Sequence, residues 1–176
     1  MSEDEGVNPD TGAPVQQKRY RISDNYARFY LKYIEPALPL IRKGRFAFAS
    51  LDHLAGWESV MGLAFENLVV ANFRELLPRF GLERSLLLSA APFHRKNVQI
   101  DLLLQTRRSV CVVEVKCQRE IGREIIDEVA AKVEKLPKRK GISVKTALVY
   151  EGHLAPIVEA DGYFDALIPF RTLLGL

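Results

Sequence analysis

Val98-Gln99-Ile100-Asp101-Leu102-Leu103-Leu104-Gln105-Thr106-Arg107-Arg108-Ser109-Val110-Cys111-Val112-Val113-Glu114-Val115-Lys116-Cys117 holds two aliphatic, β-branched runs around a polar centre. That is the pattern of two strands joined by a hairpin. Asp101 interrupts the first run, and Glu114 and Lys116 interrupt the second. Successive side chains of a strand alternate between faces. Cys111, Val113, Val115 and Cys117 therefore share one face, and Val110, Val112, Glu114 and Lys116 share the other. The first face is apolar throughout. The second turns from apolar to charged towards its far end, as expected of a site at the edge of a core. A turn at Arg107-Arg108, or a four-residue loop around it, pairs residues whose numbers add to 215. Asp101 then lies opposite Glu114, and Leu103 opposite Val112, with Cβ atoms roughly 5 Å apart. Ile100, Leu102 and Leu104 fall opposite Val115, Val113 and Cys111, and hydrophobic pattern and turn agree on the register.

Two like charges directly opposed destabilise a sheet unless a cation lies between them. Oxygen ligands, with no histidine or thiolate in the motif, select a hard ion. Mg²⁺ (or Mn²⁺) is the expected cofactor, held by one or two carboxylates with several waters retained. Lys116, on the face of Glu114, can hold a phosphate oxygen or orient an attacking water, an arrangement suited to phosphodiester hydrolysis. The plainer alternative is a structural carboxylate–lysine pair at the end of the sheet.

Working outward, 176 residues with 48% apolar and 27% charged content suffice for one soluble domain with a real core. No apolar run approaches the roughly 18 residues needed to cross a bilayer, so no membrane association is expected. A phosphate loop of the form GxxxxGK(S/T) is absent. Three histidines and two cysteines without a CxxC give no structural zinc site. Two cysteines and no secretory signal suit a reducing, cytoplasmic location. The net charge of +3 hides an asymmetry: Glu3, Asp4, Glu5 and Asp10 fall in the first 17 residues, leaving 25 basic against 18 acidic residues in the rest. A basic body suits a polyanionic partner or simply confers solubility.

Three parts are expected along the chain: a disordered acidic tail over 1–18, a helical connector or docking segment over 19–58, and the main domain over 59–176. In the connector, Ser23 or Asp24 can cap a helix. Tyr26, Phe29, Tyr30 and Tyr33 recur at helical spacing, and Pro36 is expected to end the element. Such a stripe can stack on bases or dock against another part of the protein. One or two short helices are expected over 45–58, around Phe46, Phe48, Leu51, Leu54 and Trp57, with Gly56 as a break. The next helix is expected from Ser59 to Leu77, with Gly62, Leu63, Glu66, Val69, Val70, Phe73 and Leu77 on one stripe. Glu66 in that stripe needs a basic partner, a metal or cleft water, unless it reaches solvent beside it.

Strands follow near Ser85–Ala91, Val98–Gln105 and Ser109–Cys117, then a helix over Ile121–Leu136, a strand over Val144–Tyr150 and a further one over Phe164–Pro169. The order α-β-β-β-α-β predicts an α/β fold, a mixed sheet flanked by helices. Arg95 and Lys96 precede the Asp101 strand, and Arg119 and Arg123 leave the strand end that carries Glu114 and Lys116. These four are the expected phosphate contacts. Lys132, Lys135, Lys138, Arg139 and Lys140 form a basic group at the end of the following helix.

Glu66, Ile100-Asp101 and Glu114-Val115-Lys116 together resemble the signature of the PD-(D/E)XK nuclease superfamily, whose restriction-endonuclease-like core is αβββαβ. The resemblance implies Asp101 and Glu114 as metal ligands, with the Val115 carbonyl and Glu66 contributing, and Lys116 as the catalytic lysine. Ile100 stands where the classical motif has proline. A longer resemblance runs through Tyr20-Arg21-Ile22-Ser23-Asp24-Asn25-Tyr26-Ala27-Arg28-Phe29-Tyr30 and Gly62-Leu63-Ala64-Phe65-Glu66. It is to the C-terminal domain of unknown function of archaeal-type AAA+ ATPases, where a P-loop ATPase and a winged helix come first. The nuclease signature implies a metal-dependent phosphodiesterase acting on nucleic acid, DNA in the first instance, here as the C-terminal-type domain of an archaeal-type ATPase. The alternative is a catalytically silent nucleic-acid-binding or regulatory module. An ATPase or winged-helix partner would dock on the Tyr20–Tyr33 segment, and a homodimer would let two sites address two strands.

Overall fold

The computed structural model describes residues 2–3, 6–7, 14–15, 20–47, 50–83, 86–95, 97–137 and 140–173. Its helices are α1 (Asn25–Phe29), α2 (Glu35–Arg42), α3 (Trp57–Ala71), α4 (Glu124–Glu134) and α5 (Pro156–Asp161). One mixed sheet holds five strands in sequential order: β1 (Leu87–Arg95), β2 (Val98–Thr106), β3 (Ser109–Ile121), β4 (Ser143–Leu154) and β5 (Ala166–Pro169). β1, β2 and β3 pair antiparallel, whereas β3, β4 and β5 pair parallel. Parallel neighbours require a crossover, which α4 and α5 supply. From α3 to β4 the order is αβββαβ, an α/β fold consistent with the restriction-endonuclease-like core. No helix among the described residues is long and apolar enough to cross a membrane.

Each face of the sheet buries its own core. On one, Phe65 and Val69 of α3, with Leu76, Leu77 and Phe80 of the 3₁₀ segment Phe73–Phe80, cover Leu102, Leu104, Cys111, Val113 and Val149. On the other, Ile125, Ile126 and Val129 of α4, with Val158 of α5, cover Val110, Val112, Ile121 and Leu148. Burial on both faces explains the unbroken run Val110-Cys111-Val112-Val113.

The hairpin register is the expected one: Leu102 pairs with Val113, Leu103 with Val112, Leu104 with Cys111 and Gln105 with Val110. The turn needs no glycine because Thr106 Oγ1 accepts the amides of Arg108 (3.2 Å) and Ser109 (2.9 Å). Beyond Leu102 the expectation fails. Ala91 pairs with Leu103 but Phe93 with Ile100, so β2 carries one extra residue at Asp101-Leu102. This β-bulge moves Ile100 into the core under α4, away from Leu102, and ends the regular pairing before Asp101 can face Glu114 in the ladder.

The helical parts also differ from the pattern. Asp24, not Ser23, caps α1, accepting the amides of Tyr26 (2.9 Å) and Ala27 (3.2 Å). Pro36 does not end the helix. A π-helical turn at Tyr30–Ile34 runs on into α2, which carries Pro36 in its first turn and Pro39 in its interior. The one or two helices expected over 45–58 reduce to a 3₁₀ turn at Leu51–His53. Gly56, at φ +68°, starts α3. α3 stops at Asn72, short of Leu77, where the Asn72 side chain donates back to the Leu68 carbonyl (2.8 Å). The buried face of α3 is Val60, Phe65, Asn67 and Val69, so Leu63 lies outside it and Glu66 sits half-buried at its border.

Helix α5 had no strong periodicity to announce it. Within 1–18, the described residues form two-residue antiparallel pairings, Ser2–Glu3 with Tyr20–Arg21 and Gly6–Val7 with Pro14–Val15, where disorder was expected. The rest of that tail, together with Phe48, Ser85, Lys96, Lys138 and Arg139, lies outside the described residues.

Candidate active site

Where β2 and β3 part, a cleft of about 1130 Å³ opens between α3 and α4. Glu66 of α3, Asp101 of β2, Glu114, Val115, Lys116 and Arg119 of β3, and Glu128 and Lys132 of α4 all line it. The motif residues therefore come together on one side of one opening. The lining holds seven carboxylates and three cations, an excess of negative charge. Gly152 of β4 forms part of the wall. Its φ of +126° favours glycine, and a Cβ there would collide with the Gln118 carbonyl oxygen. That close approach accompanies the register shift between Cys117 and Glu120 that turns the end of β3.

Asp101 is 8% exposed, and its Oδ2 accepts the Val115 amide at 2.9 Å. The side chain thus takes up a donor at the point where regular pairing has ended. Burial raises the Asp101 carboxyl to about 6; the Val115 amide pulls it down, Glu66 pushes it further up, and Lys132 and Lys116 offset part of the rise. Glu114, 2% exposed, is raised to about 7 by burial first and by Asp101 second, against the pull of Lys132 and Lys116. Each acid is costlier to ionise because another stands beside it.

Two ammonium groups hold Glu114. Lys132 Nζ donates to Oε2 at 2.6 Å, and Lys116 Nζ stands 3.3 Å from Oε1. Glu128 closes the ring, 3.0 Å from Lys116 and 2.9 Å from Lys132. Burial alone would lower both lysines, but Glu114 and Glu128 outweigh it and raise them, so both are charged. Burial tends to raise Glu128 as well; its bonds to the two lysines reverse that, and it lies below its ordinary value.

Sequence reasoning missed Glu128, and it grouped Lys132 with Lys135 and Lys140 as basic residues ending the helix. Lys132 instead turns inward, its side chain only 18% exposed. The available signal was the Glu128–Lys132 pair at i,i+4 beside the apolar stripe of Ile125 and Val129. Of the expected phosphate contacts, Arg119 is exposed and lines the cleft. Arg123 is exposed, pairs with Asp161 at 3.9 Å and lies outside the lining. Arg95 ends β1, also outside it.

The donor set bears on the expected ion. Among the described residues, no three His, Cys, Asp or Glu side chains gather into a metal cage. Two buried carboxylates, each raised partly by a neighbouring acid, fit a hard cation that keeps most of its own waters. The thiols do not suit nucleophilic work: burial pushes Cys111 up to about 11, and Cys117 is also raised.

The aromatic stripe of the connector docks inward. Phe29 and Tyr33 lie 5.4 Å apart between ring centroids, and each stands 6.3 Å from Trp57 at the start of α3. Asn67 donates to Asn25 Oδ1 (3.0 Å), and Asn25 to the Ala64 carbonyl (3.2 Å). These contacts fasten α1 to the helix that carries Glu66. Tyr26 remains exposed.

No protein-family model and no curated protein matches the chain. Among solved structures, the crystal structure of a repair endonuclease from Pyrococcus abyssi is similar, at 17% identity and a TM-score of 0.37. The match covers 70% of this chain and 47% of that one, so this chain corresponds to about half the length of its neighbour.

Proposed function

We propose that this chain is a metal-dependent phosphodiesterase of the PD-(D/E)XK type acting on nucleic acid, with DNA as the expected substrate. The observation that carries the reading is the meeting of Asp101, Glu114 and Lys116 in one cleft, with both acids raised by burial and by neighbouring carboxylates. Asp101, Glu114 and the Val115 carbonyl would hold Mg²⁺ or Mn²⁺, and Glu66 would hold a further ligand water at the α3 wall. The ion would supply Lewis acidity towards the scissile phosphate and a more acidic water. Lys116, charged in its present setting, orients that water and balances charge that builds on the phosphate. Arg119, at the cleft mouth, positions a neighbouring phosphate.

The test is incubation of the protein with end-labelled single-stranded, duplex and branched DNA, and with RNA, in Mg²⁺ or Mn²⁺. Cleavage that chelator abolishes, and that Asp101→Ala and Lys116→Ala each remove, is the expected result. Binding without cleavage in every metal and on every substrate would refute it.

A second reading, a silent nucleic-acid-binding or regulatory module partnered with an ATPase, draws on two features. Both oxygens of Glu114 are already engaged by lysines. In the connector, α2 buries no residue and exposes Leu40 and Ile41, as a docking helix does.

A further inference from the structure

The signature of acid, acid and lysine accounts for Asp101, Glu114 and Lys116, but not for the two residues that α4 adds. Lys132 reaches into the cleft and makes the shortest of the ion pairs at Glu114, 2.6 Å to Oε2. Its ammonium thus stands on an oxygen that the proposed metal would use. Glu128, one helical turn earlier, touches the same ammonium at 2.9 Å and that of Lys116 at 3.0 Å. Glu114 is 2% exposed and Glu128 is 42% exposed, so one carboxylate lies in the cleft floor and the other at its rim. A lysine side chain has the length and rotamer freedom to keep its hold on the rim acid while releasing the floor acid.

We propose that Lys132 is a tethered counter-ion that neutralises Glu114 until a divalent cation displaces it, and that Glu128 retains the displaced ammonium. This rests on the reading of Asp101 and Glu114 as the metal-binding pair. Lys132 is then a positioning residue that sets the affinity of the cleft for cations. A monovalent ion offers no more charge than the ammonium it must expel, while a divalent ion offers twice as much. The two α4 residues act in opposite directions. Removing Lys132 leaves Glu114 with Lys116 alone and frees Oε2, which strengthens divalent binding. Removing the charge of Glu128 leaves the ammonium with Glu114 as its main partner and weakens that binding. A ring that served only to fasten α4 to β3 would not give opposite signs.

The experiment is a Mn²⁺ titration, with free Mn²⁺ followed by electron paramagnetic resonance, on the full chain as wild type, Lys132→Met, Lys132→Gln, Glu128→Gln and Asp101→Asn. Melting curves establish that each variant is folded, and Lys132→Gln stands in if Lys132→Met is not. The expected result is Mn²⁺ affinity raised about tenfold without Lys132, lowered several-fold in Glu128→Gln, and lost in Asp101→Asn. Affinity unchanged or reduced without Lys132, with Asp101→Asn still abolishing it, overturns the tethered counter-ion and leaves the metal site standing. Mn²⁺ binding by no variant, with no cleavage of any substrate, overturns both.

Discussion

β2 and β3 are joined at one end and part at the other, and the two ends treat polarity differently. At the turn, Thr106 and Ser109 are buried yet neutral, and the Thr106 hydroxyl accepts two backbone amides. Pairing there follows one register through four successive pairs. At the cleft, β2 bulges, a carboxylate accepts the Val115 amide, and two buried acids are raised by burial and by neighbouring carboxylates. The same pair of strands thus closes its turn on neutral hydroxyls at one end and gathers an excess of negative charge at the other. Natural folds concentrate such local conflicts where a ligand resolves them. On the proposed reading the turn end contributes stability and the cleft end chemistry, a division that can be tested from both sides.

The largest expected effect is on catalysis at the cleft end. Asp101→Asn should lower cleavage by about 10²–10³-fold. The same change should leave stability at pH 8 equal to or above wild type, because a buried charge that folding disfavours is removed. Urea denaturation beside the cleavage assay checks both halves. If Asp101→Asn unfolds the protein, the carboxylate is structural and the division fails. Leu104→Ala, in the regular ladder, should do the reverse. Leu104 is fully buried, and its truncation should cost about 2–5 kcal/mol. Cleavage per folded molecule should be unchanged. Thr106→Val should cost about 1–3 kcal/mol, since a buried amide loses its acceptor.

The fold was legible because its strongest signals are periodic. Val110 to Val113 had to be buried on both faces, and the summed register followed from that and from the turn. Asp101, Glu114 and Lys116 were legible as charges with no business among aliphatic neighbours. The bulge was not, because an extra residue in a strand leaves the composition unchanged and only reassigns faces, as it does for Ile100. Lys132 and Glu128 were hidden for another reason. On a helix flanked by basic residues, an inward lysine looks like the rest of the cluster, and only the position of α4 over β3 separates them. Pro36 misled because a proline that ends one helix also suits the first turn of another.

The smallest expected effect is a pH dependence. Asp101 and Glu114 are raised from ordinary values of 3.8 and 4.5 to about 6 and about 7. Between those limits the folded chain keeps protons that the unfolded chain has released, so this pair's contribution to stability falls as pH rises from about 4 to about 7. Glu128, which lies below its ordinary value, contributes in the opposite sense at the acid end. Melting curves of wild type and an Asp101→Asn/Glu114→Gln double variant across that range, without divalent metal, should converge at the acid limit. They should separate towards neutrality, with the double variant the more stable. A constant difference would mean that the two acids titrate alike in the folded and unfolded chains.

The central claim is that the cleft end of the hairpin is completed by a divalent cation held on Asp101 and Glu114. Its most direct test is the melting temperature of the wild type and of that double variant as Mn²⁺ is added. At a hundred times the dissociation constant, the wild type should gain about 5–10 °C and the double variant nothing. An equal shift in both, or none in the wild type at millimolar Mn²⁺, would contradict the account.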